Sequence, residues 1–183
     1  MRIVAGTHRG RVLKAPKGDD VRPTSEKVRL AVFNMLQSRG MVVDAAVLDA
    51  FCGTGALGLE ALSQGAAFCT FWDKSPDSLK CCQANIQNLK FEAQSVSAMK
   101  DACGPKDNPD PDSRFSLVFI DPPYRKGLAE KALRKLMSGQ WLLDDAVVVI
   151  ETGADETVDA PMDIFQEKTY GDTKIILARV RPG

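Results

Sequence analysis

A glycine turn between an apolar segment and a helical one constrains this chain more than any other feature. Residues 49–58 read Asp49-Ala50-Phe51-Cys52-Gly53-Thr54-Gly55-Ala56-Leu57-Gly58. Glycines in such a turn let the backbone approach a ligand, and the helix start offers N–H groups that no helical carbonyl takes up. The Gly53-x-Gly55-x-x-Gly58 spacing matches the dinucleotide fingerprint. Alone it is a weak signal that a structural turn also satisfies.

The surrounding pattern supplies the context that such a turn needs. A strand over 47–50 precedes it, and a helix over 56–64 follows and stops at Gly65. A strand over 68–72 comes next, then a helix capped by Ser75, opened by Pro76 and ending near Leu89. A third strand ends at Val96 and a short helix follows it. The polar stretch 104–114 is a surface loop. A strongly apolar strand over 115–120, a helix over 127–137 and a strand over 146–151 continue the alternation. The segments 164–168 and 174–180 form a hairpin around Tyr170-Gly171-Asp172. Such alternation predicts an α/β fold with a mainly parallel sheet, right-handed crossovers and helices on both faces.

Ahead of this series, 2–6 and 10–14 read as two short strands around Thr7-His8-Arg9-Gly10. A loop over 16–23 and a helix capped by Thr24 and running to Ser38 follow. Residues 1–40 thus form a hairpin-and-helix extension and 41–183 the main domain, within one compact unit of 183 residues.

Hydrophobic residues make up 44% of the chain and charged residues 26%, with no apolar run near the roughly 20 residues that span a bilayer. The opening Met1-Arg2-Ile3-Val4 does not resemble a secretory signal, so cytoplasmic residence is expected. Five cysteines without a Cys-x-x-Cys pair, and a single histidine, argue against a disulfide framework or a metal site. Net charge is zero, but residues 1–39 hold nine Lys/Arg against three acids, a net +6 that leaves −6 on the remainder. A basic arm on an acidic body suits a nucleic-acid backbone, and equally a solvated basic surface.

Asp73 falls about twenty residues after the glycines at a strand end, where a carboxylate accepts both hydroxyls of a ribose. That serves a nicotinamide cofactor and S-adenosylmethionine alike. Asp49 tips the balance, because an acid beside the turn suits an ammonium and a sulfonium and would repel a pyrophosphate.

After the fourth strand comes Asp121-Pro122-Pro123-Tyr124. An exocyclic base nitrogen is a poor nucleophile because its lone pair is delocalised into the ring. Asp121 and the Pro122 carbonyl can accept its two N–H bonds and hold it in line with a methyl donor. The prolines fix the backbone, and Tyr124 offers a ring for stacking, a role that calls for the ring and not the hydroxyl.

The chain resembles the amino-methyltransferases with an Asn/Asp-Pro-Pro-Tyr motif, and within them the bacterial RsmD family of small-subunit rRNA guanine-N2 methyltransferases. The resemblance rests on Arg2-Ile3-Val4-Ala5-Gly6, Arg9-Gly10-Arg11, Arg22-Pro23-Thr24, Val28-Arg29 and Phe33-Asn34. It continues through 48–62, Asp121-Pro122-Pro123-Tyr124 and Tyr170-Gly171-Asp172-Thr173. It implies a Rossmann-like class I S-adenosylmethionine-dependent methyltransferase with a seven-stranded sheet whose last hairpin forms the antiparallel edge. The substrate it implies is a guanine of 16S rRNA, presented by a 30S subunit or an assembly intermediate. The enzyme is expected to act as a monomer.

On this resemblance Asp49 and the Gly53–Gly55 turn hold the methionine part, Asp73 the ribose, and Ser97 and Ala98 the adenine edge. Phe51 and Lys74, beside the turn and beside Asp73, join that set. The family usually carries Asp or Asn where Ser97 stands, and more often Glu where Asp73 stands. Asp121, Pro122 and Tyr124 are the expected catalytic residues. Arg9, Arg11, Arg22, Thr24 and Arg29 are the expected RNA contacts. Three other readings compete: a DNA adenine-N6 methyltransferase, a noncatalytic RNA-binding assembly factor, and a nicotinamide-dependent oxidoreductase, which leaves Asp121–Tyr124 unexplained.

Overall fold

Leu117, Val118, Phe119 and Ile120 are consecutive apolar residues and all four are fully buried, which is what a strand covered on both faces requires. They alternate between two clusters. Leu117 and Phe119 join Val47, Phe71 and Val149 on one face, and Val118 and Ile120 join Leu48, Trp72 and Val148 on the other. In this computed structural model, which describes residues 1–15, 25–110 and 112–181, the elements run α1 (Glu26–Gln37), β1 (Ala46–Asp49), α2 (Ala56–Ser63), β2 (Phe68–Asp73) and α3 (Pro76–Leu89). After a 3-10 turn at Glu92–Gln94 come β3 (Ser95–Met99), β4 (Phe115–Ile120), α4 (Leu128–Ser138), β5 (Leu142–Gly153), β6 (Met162–Tyr170) and β7 (Thr173–Val180).

The seven strands form one sheet in the order β3-β2-β1-β4-β5-β7-β6. The first five pair in parallel, and β7 runs antiparallel to both β5 and β6. The parallel order reverses between β1 and β4, the position at which open α/β sheets bind ligands beyond their carboxyl ends. Buried residues of α1, α2 and α3 pack on one face of the sheet and those of α4 on the other. On α4 the buried positions are Ala129, Ala132, Leu133 and Leu136, a helical stripe. Each leucine there contributes on the order of 1.5–3 kcal/mol of burial.

Two segments differ from the sequence-based expectation. β3 extends to Met99, and the 3-10 turn precedes the strand instead of a helix following it. It is an edge strand with no buried residue, in which Val96 and Met99 are exposed, and its alternating serines break the apolar run that marks its neighbours. β5 starts at Leu142, because the register shifts between its pairings with Phe115 and Leu117 and places exposed Asp144 and Asp145 inside the strand.

Residues 1–15 turn back on themselves through Ile3 N–H to Arg11 O at 3.0 Å and Gly10 N–H to Ile3 O at 2.8 Å. Only the Arg2–Val12 pair forms a β-bridge, so the expected hairpin is reduced to one. The expected Thr24 cap lies outside the described residues. The observed cap of α1 is Ser25, whose Oγ accepts from Val28 N–H at 3.2 Å. Ile3, Leu13, Val32 and Phe33 share one apolar cluster with Leu59, Phe119 and Val149, so residues 1–15 and α1 pack into the same core as the sheet.

Candidate active site

The ends of β1, β2 and β4 bring the predicted residues together. Asp49 ends β1 and pairs in register with Phe71 on β2 and Phe119 on β4. Asp73 ends β2, and Asp121 follows the last residue of β4. The turn after Asp49 is held by Cys52 N–H to Trp72 O at 2.9 Å and Gly55 N–H to Cys52 O at 2.6 Å.

The three glycines do different work. Gly53 and Gly55 have φ of 52° and 81°, a left-handed backbone that disfavours other residues. A Cβ on Gly53 would meet nothing within 4 Å, so the space beside Gly53 is open, whereas a Cβ on Gly55 would come 2.7 Å from Cys82 Sγ. Gly58 packs α2 against β2, where a Cβ would come 2.4 Å from the Phe71 ring.

Two carboxylates flank this space. Asp73 accepts from Gly53 N–H at 2.9 Å and from Ser75 N–H at 2.8 Å, one on each oxygen. Each oxygen keeps a second acceptor site for a ribose hydroxyl. Asp49 is almost fully buried and accepts from Gly58 N–H at 3.0 Å. Burial pushes its carboxyl up to about 7; the Gly58 N–H opposes this and the charge of Asp73 adds to it. A buried acid poised near neutrality favours a cationic partner that fixes the ionised form. Open space beside Gly53, a half-buried carboxylate for two hydroxyls and a buried acid for an ammonium fit S-adenosylmethionine.

Phe51 is half-buried and packs against the cluster that includes Leu48 and Trp72, and Lys74 is exposed. Ser97 lies in register with Phe71, two residues before the end of β2, and its Oγ accepts from Gln83 Nε2 of α3 at 3.0 Å. Ala98 pairs with Trp72 and packs against the opposite cluster. The serine hydroxyl is therefore already engaged on the α3 side of the sheet.

In the Asp121-Pro122-Pro123-Tyr124 motif, Pro122 is buried and Asp121 half-buried. The Tyr124 hydroxyl donates to Glu151 Oε1 at 2.6 Å and lies 2.8 Å from Thr173 Oγ1. Burial, with the Glu151 hydrogen bond, raises the phenol well above its usual range, so the donor stays protonated. The next residue is held too: Arg125 has φ 62°, and its N–H donates at 2.7 Å to Glu156 Oε1, whose Oε2 accepts from Gly153 N–H at 2.7 Å. Glu151, Thr173 and Glu156 were not among the expected residues. Glu151 closes the apolar run of β5 with a charge, a signal that could have found it.

A family profile described as Conserved hypothetical protein 95 matches residues 1–179. The chain is 36% identical over 184 residues to Ribosomal RNA small subunit methyltransferase D of Escherichia coli (strain K12), covering 93% of this chain and 85% of that one. The chain belongs to this family, RsmD. The Haemophilus influenzae relative of the same name is 32% identical over 178 residues, covering 93% of this chain and 89% of its own. The solved structure of Escherichia coli yhhF superposes with a TM-score of 0.85 at 33% identity, over 100% of this chain and 99% of that one. The RsmD chain thus has the Rossmann-like methyltransferase fold.

Within the RsmD extension, Arg9 and Arg11 are exposed, and Arg11 Nη2 also donates to Asn88 O at 3.0 Å. Arg22 and Thr24 lie outside the described residues. For Arg29 the structure corrects the expectation. It is fully buried, with Nε 3.3 Å from Glu60 Oε2 and Nη2 bonded to the Arg2 carbonyl, so it cannot reach a phosphate. Glu60 also accepts from Val4 and Ala5 N–H, each at 2.9 Å, and from Gln64 Nε2 at 2.8 Å. The pair docks the extension onto α2. Its signal lay in the helical spacing, because Arg29 shares a face with Val32, Phe33 and Leu36.

Proposed function

We propose that this protein transfers a methyl group from S-adenosylmethionine to the exocyclic N2 of a guanine in 16S rRNA, within a 30S subunit or an assembly intermediate, acting as a cytoplasmic monomer. The observation that carries the reading is the placement of Asp121-Pro122-Pro123-Tyr124 at the end of β4, beside the β1 end that bears Asp49 and the glycine turn. The names of the relatives support rRNA as substrate, and exposed Arg9 and Arg11 support a polyanion.

S-adenosylmethionine supplies an electrophilic methyl group on a sulfonium. Asp73 would hold the ribose and ionised Asp49 the ammonium, so the two carboxylates would orient the donor. Asp121 and the Pro122 carbonyl accept the two N–H bonds of the guanine amine. They would turn its lone pair out of the ring plane and favour a pyramidal nitrogen. The amine would take the methyl group that the bound donor supplies and give up one N2 proton along the hydrogen bond to Asp121, which would pass it to solvent. Tyr124, clamped by Glu151 and Thr173, holds the base against its ring.

The test is incubation with S-adenosylmethionine labelled on its methyl group and, separately, naked 16S rRNA, 30S particles and DNA. Label is expected in 16S rRNA or 30S particles as N2-methylguanine. Label in DNA as N6-methyladenine, or RNA binding without transfer, overturns the reading.

A further inference from the structure

The extension and the cofactor turn are joined by one side chain. Asn85 lies on the buried stripe of α3 and is completely buried. Its Oδ1 accepts from Lys14 N–H at 2.7 Å, and Nδ2 donates to the Lys14 carbonyl at 3.0 Å and to the Thr54 carbonyl at 2.9 Å. Thr54 is the residue between Gly53 and Gly55. Lys14 closes the segment that carries Arg9 and Arg11. One turn further along α3, Asn88 Nδ2 donates to Val12 O at 3.3 Å and its carbonyl accepts from Arg11. The segment 11–14 therefore lies along α3, and at Asn85 the amide that grips it also grips the turn.

We propose that Asn85 is a positioning residue that couples the basic arm to the cofactor turn, so that cofactor binding steadies the arm for RNA and a docked arm tightens the cofactor. The amide is planar and both of its donors are in use, so a displacement of Lys14 rotates it away from the Thr54 carbonyl. Thr54 is buried, and an unmet buried carbonyl is costly. The turn and the arm therefore favour the same amide orientation, and coupling between their ligands is reciprocal. This rests on the reading above, in which the turn holds the cofactor and the arm holds RNA.

Residue-resolved amide hydrogen exchange on the wild-type chain, with and without S-adenosylhomocysteine, tests the link. Protection is expected at residues 53–55 and, with it, at the Lys14 N–H, slowed by about 5-fold or more. A companion experiment measures S-adenosylhomocysteine affinity with and without 16S rRNA for wild type and Asn85→Asp, which keeps the size but turns an oxygen toward the two carbonyls. Wild type should gain about 5-fold or more in affinity from RNA, and the variant should lose that gain. Protection confined to residues 53–55, or a folded Asn85→Asp that keeps the wild-type gain, overturns the coupling. No S-adenosylhomocysteine binding at all overturns the functional reading itself. Should Asn85→Asp fail to fold, the wild-type exchange at Lys14 decides.

Discussion

The Tyr124 hydroxyl sits 2.6 Å from Glu151 Oε1, which ties the Asp121–Tyr124 motif after β4 to the end of β5. A base-stacking ring needs a fixed plane as well as a face, and this bond, with Thr173 beside it, supplies the plane. On the proposed stacking role the hydroxyl also serves, by holding the ring, where the sequence alone offers only the ring itself. Tyr124→Phe is expected to lower kcat/KM for RNA by roughly 10-fold, about one charged hydrogen bond. Tyr124→Ala should fall further because the ring is lost as well. Cofactor affinity should hold in both. Steady-state kinetics checks this, and a Phe variant equal to wild type would show that the clamp plays no part in catalysis.

Asp49 makes a pH prediction. Its folded value near 7 lies above the ordinary value of 3.8, so between those values the folded state holds a proton that the unfolded state has lost. The stability linked to this proton is complete below about 4 and is lost as pH rises through about 7. Asp49→Asn, which has no charge to bury, should melt higher than wild type at pH 8, with the gap closing as pH falls toward 4. Cofactor binding should show the opposite preference, strengthening in wild type as pH rises through about 7 and releasing a proton below it. Calorimetry in buffers of different ionisation enthalpy reads that proton, and Asn at 49 should abolish it.

Asp73→Ala should weaken S-adenosylmethionine binding by about 1–3 kcal/mol, as expected for loss of a charged acceptor. Because Asp73 also holds Gly53 N–H and Ser75 N–H, part of the loss comes from a loosened turn. Asp73→Asn should recover some of it. Titration calorimetry separates the two, and unchanged affinity in Ala would exclude the ribose role.

The arginines of the extension divide by burial. Neutralising exposed Arg9 and Arg11 should raise the KM for RNA and flatten its salt dependence, with folding intact. The expected change in slope is roughly 0.7–0.9 log units for each phosphate that an arginine no longer neutralises. Arg29→Ala should instead cost on the order of 3–5 kcal/mol of stability, because it strands Glu60 in the interior. Thermal melts and a salt series of methyl transfer show both effects. A stable Arg29→Ala would contradict the docking role.

The frame of the molecule is readable in the sequence because fully buried parallel strands leave unbroken apolar runs such as 115–120, and because Ser75, Pro76 and the glycines mark local geometry by themselves. β3 escapes such a reading because an edge strand has little apolar surface to bury. Arg29 misleads for a related reason: charge in a basic segment suggests solvent, and only the spacing relative to Val32, Phe33 and Leu36 reveals that the side chain points inward. Asp49, Asp73 and Asp121 can be chosen from their places at strand ends. Glu151 leaves only the mark of a charge after the apolar run of β5, and Glu156 and Asn85 leave none, since their partners lie 31 and 71 residues away in sequence.

Nucleoside mass spectrometry of 16S rRNA treated with wild type and Asp121→Ala tests the proposal that Asp121 and the Pro122 carbonyl orient a guanine amine for methyl transfer. Wild type is predicted to yield N2-methylguanine and the variant at least about 100-fold less, with S-adenosylmethionine affinity preserved. An active Asp121→Ala, or a methylated base other than guanine at N2, would contradict the proposal.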